Sequence, residues 1–411
     1  MLHEVTPSDK RPKMDRAALI AKARELGETR FAERAAIYDA EGRFPTENYA
    51  DLRQAGFLGL VIPTEYGGLG ADYETYCHVS AEMARWCGAT ALTFNMHCAT
   101  LLWSSRAIDD LPMSDEDRAM QHENRAGIYR EVIEEGVIFA QPFSEPNTAA
   151  AAGKAPFGTT ARKVDGGWIV NGMKHFASLS GAAQYYSMVC SVDDGANALD
   201  VKNSVYLAVP AAAEGFEIFG DWNPVGMQAT MSRNLRMKEV FVPDALQLMP
   251  VGVYHQVAYN WPHMFFTLSP TYMGIAQAAF DFTVQYLRGE VPGVKADMRA
   301  VPEKQFALAK MRLMLEAARA LFEKTTAQAK ANPTQDERLT AYAAQHTIME
   351  NCNAIASLAL RTCGGRTLLK TFPLERLYRE SRCGALMLPW TAEILERRLG
   401  QESLYRPGEK G

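Results

Sequence analysis

Apolar positions along the chain change their period twice. Up to about residue 136 they follow a helix. Ala17 to Asp39 is rich in Ala, Glu and Arg, which lose little on entering a helix. Pro45 stands near the first turn of the next helix, where proline is tolerated. Tyr73 to Arg106 again carries apolar residues at helical spacing. Met113 to Arg125, after Pro112, is a polar stretch with several charges. From Gly136 to about Met249 short β-type runs take over. Thr159 to Val164 alternates, Asp165-Gly166-Gly167 supplies a tight turn, and Trp168-Ile169-Val170 is aromatic and β-branched. Asn171-Gly172 reads as a second hairpin signal. Tyr185 to Val192, Val205 to Val209, Phe216 to Phe219 and Leu235 to Val242 continue the series, which predicts a compact β-barrel or sandwich.

From about Pro270 to Leu399 long helices return. Leu308, Met311, Leu315, Ala318 and Leu321 make one apolar stripe, and Ile348, Cys352, Ile355 and Leu358 another. An antiparallel four-helix bundle buries stripes of this kind. The expected fold class is α+β: an N-terminal helical domain (1–136), a central β-barrel domain (137–250) and a C-terminal four-helix bundle (251–411).

Bulk composition narrows the functions. The 411 residues allow two or three domains with large cores. A net charge of −5 and the lack of a long Lys/Arg block argue against nucleic acid as the main partner. No apolar run reaches the roughly 18 residues that span a bilayer. Met1 to Met14 is polar, without a signal-peptide core. The seven cysteines lack paired short spacings, which fits reduced thiols and a cytoplasmic location. Neither Cys-x-x-Cys nor His-Glu-x-x-His occurs, so no metal is expected.

Candidate chemistry concentrates between Phe139 and Ser178. In an extended segment Phe176 and Ser178 share a face, so one stacks on a flat ring while the other hydrogen-bonds to it. The stretch from Phe139 to Ser178, with its Ser144-Glu145-Pro146 turn, resembles the acyl-CoA dehydrogenase superfamily, in which the segment before the Glu-Pro turn and a Trp-Ile-Thr-like segment hold the flavin ring. Four further stretches resemble it in order: Leu52 to Gly70, Gly226-Met227 through Val242-Pro243, Cys363-Gly364-Gly365, and Pro373 to Glu380. The resemblance spans nearly the whole chain and implies the same helix–β–helix order. It further implies FAD, an acyl-CoA or related thioester as substrate, and an electron-accepting flavoprotein or a flavin reductase as partner. It also implies a homotetramer or homodimer.

By that resemblance Gln141, Phe143 and Ser144 line the flavin, while Phe176 and Ser178 pack on it and reach N5. Arg361, Gly364 and Gly365 resemble the stretch that contacts the adenosine half of FAD in a neighbouring subunit; the family has Gln where this chain has Arg361. Thr391 aligns with the Thr of the family's Tyr-Glu-Gly-Thr-like motif, another cofactor-side position. The chain departs from the pattern after the turn, where Ala149 and Ala150 replace Gly and Ser, with Thr148 as a shifted substitute.

The family's proton-accepting Glu falls on Pro389 and its Gly on Trp390. The alternative position, ten residues before Gly274, is Met264. Neither Pro nor Met takes a proton. Either another carboxylate or His does this work, or the chemistry differs. His97 is the candidate catalytic residue, with His175 and His263 behind it. Thr230-Met231-Ser232 resembles a pattern found in monooxygenase branches and in divergent dehydrogenases. The alternatives are therefore a reduced-flavin-dependent monooxygenase, an atypical lyase, and a non-catalytic acyl-CoA-binding homolog.

Overall fold

The computed structural model describes residues 15–105, 108–109, 111–146, 155–195, 199–200, 202–260, 263–294, 297–330, 332–387, 391–405 and 409. Helix α1 (Arg16–Leu26) starts at Asp15, whose carboxylate accepts the Ala18 amide. It runs through one π turn, Gly27–Phe31, into α2 (Ala32–Glu41). The turn falls where the Trp86 indole presses on the backbone. A Cβ on Gly27 would lie 2.0 Å from Trp86 Cδ1, so glycine permits this approach.

After α3 (Thr46–Gln54), the helical stretch expected from Tyr73 divides into α4 (Tyr73–Ala84) and α5 (Gly88–Trp103). Helix α5 lacks a side-chain cap of its own at Cys87. The buried carboxylate of Glu380 stands at this end, with Oε2 2.7 Å from where a Cβ on Gly88 would be. Burial pushes this carboxyl up, against the helix N-terminus and Arg376, which favour its charged form. The polar stretch after Pro112 is also helical. Ser114 caps α6 (Asp115–Arg130), whose first turn holds three acidic residues suited to the helix dipole.

The middle of the chain forms one mixed sheet. Its strands are β1 (Phe139–Ala140), β2 (Thr160–Val164), β3 (Gly167–Ala177), β4 (Tyr185–Val192), β5 (Ser204–Pro210), β6 (Phe216–Phe219), β7 (Arg233–Pro243) and β8 (Gln247–Met249). The order is β6-β7-β3-β2-β4-β5-β8, with β1 parallel to β4. The path is open, with β6 and β8 at its ends, so the expected barrel is a sheet that does not close. Short alternating runs specify strands but not closure, which depends on register and shear.

A second correction concerns Asn171-Gly172. It is not a hairpin turn: β3 passes straight through it. The register against β7 shifts between Val170 and Gly172, and again between Lys174 and Ala177. Gly172 takes φ 139°, as a strand irregularity of this kind requires.

The C-terminal part is helical: α7 (Val253–Asn260), α8 (His263–Phe266), α9 (Ser269–Leu287), α10 (Pro302–Ala327), α11 (Gln335–Cys363), α12 (Leu374–Cys383) and α13 (Ala392–Leu404). Helices α9, α10 and α11 pack on one another, with α12 against α9 and α11. Met311, Leu315 and Ala318 of one expected stripe, and Ile348, Cys352 and Ile355 of the other, are buried. Thr334 and Glu337 form a reciprocal capping box at the start of α11. One continuous apolar core joins helices α4, α5 and α9 to the sheet. No helix among the described residues is long and apolar enough to cross a membrane.

Candidate functional site

The Ser144-Glu145-Pro146 turn is held by a buried ion pair. Glu145 Oε1 lies 2.6 Å from Lys174 Nζ on β3, and the two side chains are 2% and 0% exposed. The carboxylate also accepts the amides of Gly158 and Thr159, at 2.6 and 3.0 Å. Lys174 donates to the Val189 carbonyl at 3.0 Å and stands over the Phe157 ring at 4.5 Å. Burial pushes the Glu145 carboxyl up, but the Lys174 charge and the donated hydrogen bonds outweigh it and hold it below its ordinary value. The Glu of this motif thus fastens the turn to β3 and β4.

Gln141 and Phe143 enter an aromatic cluster. Gln141 Nε2 donates to the Tyr206 hydroxyl at 2.9 Å. Phe143 meets Trp103 edge-on at 5.1 Å and stacks near Tyr254 at 5.9 Å. The Ser144 carbonyl accepts the His175 amide at 2.7 Å, which ties the turn to the exit of β3.

That exit is not extended. Phe176 has φ 54° and Leu179 φ 65°, so Phe176 and Ser178 are not related by strand alternation as expected. The chain instead makes a knot with the loop before β7. Leu179 and Ser180 donate their amides to the carbonyls of Thr230 and Met231, at 2.9 and 3.0 Å. Met227 and Met231 are left-handed too, at φ 58° and 48°. Four non-glycine residues in this region meeting at one place is costly, and such strain gathers at functional sites. Phe176 is 65% exposed and meets Trp222 edge-on at 6.1 Å. Beside it stand three hydroxyls in a row: Ser178 Oγ to Ser232 Oγ is 2.8 Å, and Ser232 Oγ to Thr230 Oγ1 is 2.7 Å. The knot therefore offers an exposed aromatic edge and face beside a polar row, a fit for a planar heteroaromatic ring with polar edge atoms.

Arg379 on α12 seats this loop. Its guanidinium pairs with Asp39 on α2 at 2.6 Å and Glu375 at 2.8 Å. It also donates to the Val225 carbonyl at 3.2 Å. A Cβ on Gly226 would lie 2.4 Å from the Arg379 carbonyl oxygen, so glycine is what lets the loop rest on α12.

His97 is fully buried in α5. It accepts the Phe139 amide at Nδ1 (3.2 Å), so the proton sits on Nε2 and is donated to the Leu58 carbonyl (2.8 Å). Burial pushes the imidazole down to about 4. Both ring nitrogens are engaged, joining α5 to β1 and to the turn after α3. His263 is also buried and pushed down to about 4. His175 is half-buried and reaches Ser144 through its backbone.

The remaining expected site residues lie elsewhere. Arg361 and Gly365 are exposed at the end of α11, where Gly364 stops the helix with φ 90°. Thr391 precedes α13, with its hydroxyl 2.8 Å from Glu393. Pro389, Trp390, Thr148, Ala149 and Ala150 lie outside the described residues. Among the described residues, Glu74, His78 and Glu323 bring possible metal-ligand atoms within 4.8 Å of one another. Arg16, 2.6 Å from Glu74, already places a cation there.

Comparison with known proteins decides the family. The acyl-CoA dehydrogenase N-terminal domain model matches residues 14–105, the middle domain 140–240 and the C-terminal domain 266–386. The chain belongs to the acyl-CoA dehydrogenase family. A putative acyl-CoA dehydrogenase of Bacillus subtilis is 29% identical over 372 residues, covering 89% of this chain and 92% of the relative. Two solved structures share the fold. Butyryl-CoA dehydrogenase from Megasphaera elsdenii has a TM-score of 0.80 at 20% identity, over 98% of this chain and 100% of its own. Dibenzothiophene monooxygenase from Paenibacillus sp. A11-2 has a TM-score of 0.78 at 20% identity, over 94% and 97%. Family membership assigns a flavin cofactor, and the knot lies in the middle-domain match. Sequence reasoning missed Trp222, Tyr206 and Tyr254. They sit in a loop, a strand and a short helix without a motif, and only the fold brings Trp222 to Phe176 and Tyr206 and Tyr254 to Gln141 and Phe143.

Proposed function

We propose that this acyl-CoA dehydrogenase relative is an FAD-dependent oxidoreductase that acts on an acyl thioester. The observation that carries the reading is the knot, with Phe176 exposed beside the hydroxyl row of Ser178, Ser232 and Thr230. In this reading Phe176 and Trp222 face the ring, Ser178 meets its polar edge, and Gln141 and Phe143 line it from the adjoining turn. Bound flavin supplies the electron-accepting chemistry. The chain's own residues orient the ring and exclude water. His97 contributes by holding α5 against β1, because its two nitrogens are committed to the backbone. A second copy of the chain is expected to meet the exposed Arg361, Gly365, Leu368 and Leu369 surface and complete the adenosine end of the site. The second reading, a monooxygenase that takes reduced flavin, is favoured by Pro389 and Met264, which leave both family base positions without a proton acceptor.

Anaerobic mixing of the flavin-loaded protein with a panel of acyl-CoA thioesters tests the choice. Bleaching of the flavin absorbance supports thioester oxidation. Tight flavin binding without bleaching, together with incorporation of oxygen into a non-thioester substrate once reduced flavin is supplied, supports the monooxygenase. A protein that takes up no flavin sinks both.

A further inference from the structure

The hydroxyl row has a direction that can be read from one end. Thr230 Oγ1 lies 2.9 Å from the Met227 carbonyl oxygen. A carbonyl only accepts, so the single Thr230 proton is committed there. Ser232 Oγ is 2.7 Å from Thr230 Oγ1, and Thr230 can only accept from it. Ser232 has then given its one proton. Ser178 Oγ, 2.8 Å away, must donate to Ser232. We infer that the row runs Ser178 to Ser232 to Thr230 to the Met227 carbonyl, and leaves the half-buried Ser178 oxygen as an acceptor with no proton to give.

The backbone keeps this order in place. Thr230 and Met231 are each held by an amide from the opposite arm of the knot, at 2.9 and 3.0 Å. Met227 and Met231 flank the row in left-handed conformations that free chains avoid. The backbone that carries Thr230 and Ser232 is therefore fixed against the arm that carries Ser178.

A locked acceptor selects a partner that carries an N–H or O–H. The consequence rests on the flavin reading above, in which Ser178 meets N5. In an isoalloxazine, N5 carries a hydrogen in the reduced ring and is itself an acceptor in the oxidised ring. A serine able to turn its proton serves either form. Ser178, with its proton held by Ser232, favours the reduced form. Ser232 and Thr230 are positioning residues in this account, because they act on the ring only through Ser178.

The test measures the reduction potential of the bound flavin, whose shift from that of free flavin reports the ratio of affinities for the reduced and oxidised ring. Ser232→Ala frees the Ser178 proton to point at N5. The ratio is expected to fall about tenfold, or ~30 mV for a two-electron couple. Thr230→Val frees the Ser232 proton instead and shifts the ratio the same way by less. Ser178→Ala also lowers it, and adding Ser232→Ala to that variant changes it no further. An unchanged or raised potential in Ser232→Ala overturns the inference, and so do additive effects in the double variant. If Ser232→Ala does not accumulate as folded protein, Thr230→Val decides by the same criterion. A wild-type chain that binds no flavin overturns the flavin reading along with this one. Flavin binding with equal potentials in wild type and Ser232→Ala overturns this one alone.

Discussion

The Glu145 turn and the Phe176 knot are joined by one backbone bond, from His175 to Ser144, yet they are built in opposite ways. At the turn every charge is buried and matched: carboxylate, ammonium, two amides and a carbonyl close on one another. At the knot a large aromatic stands in solvent, and four non-glycine residues are strained. The difference separates two duties along one strand, with Lys174 of β3 in the frame and Phe176 of β3 in the knot. The motif Glu secures the frame, and in the proposed reading the strained arm presents groups to a ligand. The comparison predicts that substitutions at the turn cost stability, whereas substitutions at the knot cost ligand behaviour.

The largest effect is expected at the turn. Lys174→Met leaves the Glu145 carboxylate buried without its cation, at a cost of about 3–5 kcal/mol. Urea or thermal unfolding measures it, and the double variant Lys174→Met with Glu145→Gln should recover a large part. Acid should act on the same pair. The Glu145 carboxyl is held below its ordinary value of 4.5. Its contribution is therefore complete above pH 4.5 and is lost as pH falls through the depressed folded value. If Lys174→Met unfolds like wild type, the turn is not the frame described here.

Arg379→Gln probes the link between frame and knot. It leaves the nearly buried Asp39 carboxylate unpaired and releases the Val225 carbonyl. The expected loss is about 2–3 kcal/mol. Hydrogen exchange sharpens the test. The amides of Leu179 and Ser180, bonded to Thr230 and Met231, should exchange faster, while Val189 and Leu207 in the central strands should not. Uniform acceleration would mean that Arg379 supports the whole molecule and not the loop.

His97 belongs to the frame by its bonds, although it attracts attention as chemistry. Its imidazole is pushed down to about 4 by burial. Between that value and the ordinary 6.5 the unfolded chain binds a proton that the folded chain does not. Stability is therefore complete above pH 6.5 and falls as pH drops toward 4. His263 titrates in the same window. His97→Gln should cost about 1–3 kcal/mol at pH 7 and make the remaining pH dependence shallower. A variant of full stability with abolished turnover would move His97 from the frame to the chemistry.

Much of the frame was legible because its signals are local. Helical stripes such as Met311, Leu315 and Ala318 mark a buried face by spacing alone. Short β-type runs between turn residues likewise marked most of the strands. What escaped depends on partners distant in the chain. The passage of β3 through Gly172 is set by its register with β7. The open sheet depends on which strands fail to meet. The burial of Lys174 needs Glu145, 29 residues away. At the site, the resemblance pointed to Phe176 and Ser178, but strand alternation could not place them, because the strand ends between them. The hydroxyl row was invisible because Ser178 and Ser232 are 54 residues apart. The Thr230-x-Ser232 spacing carries no information about proton direction.

The smallest effect on stability is expected at the knot. Ser178→Ala removes one half-buried hydroxyl that, among the described residues, is bonded to Ser232, a loss of roughly 0.5–1.5 kcal/mol. Part of that is returned, since Ser232 keeps Thr230 as its acceptor and the row still ends on the Met227 carbonyl. No buried polar atom is left stranded, in contrast to Lys174→Met. The flavin visible spectrum should nevertheless change, and reduction should slow, because in the proposed reading the lost oxygen is the one the row holds toward the ring. Melting temperature and spectrum measured on the same samples check this. A changed spectrum at nearly constant melting temperature upholds the division between frame and knot. A lowered melting temperature with an unaltered spectrum would place Ser178 in the frame, as a residue that closes a turn.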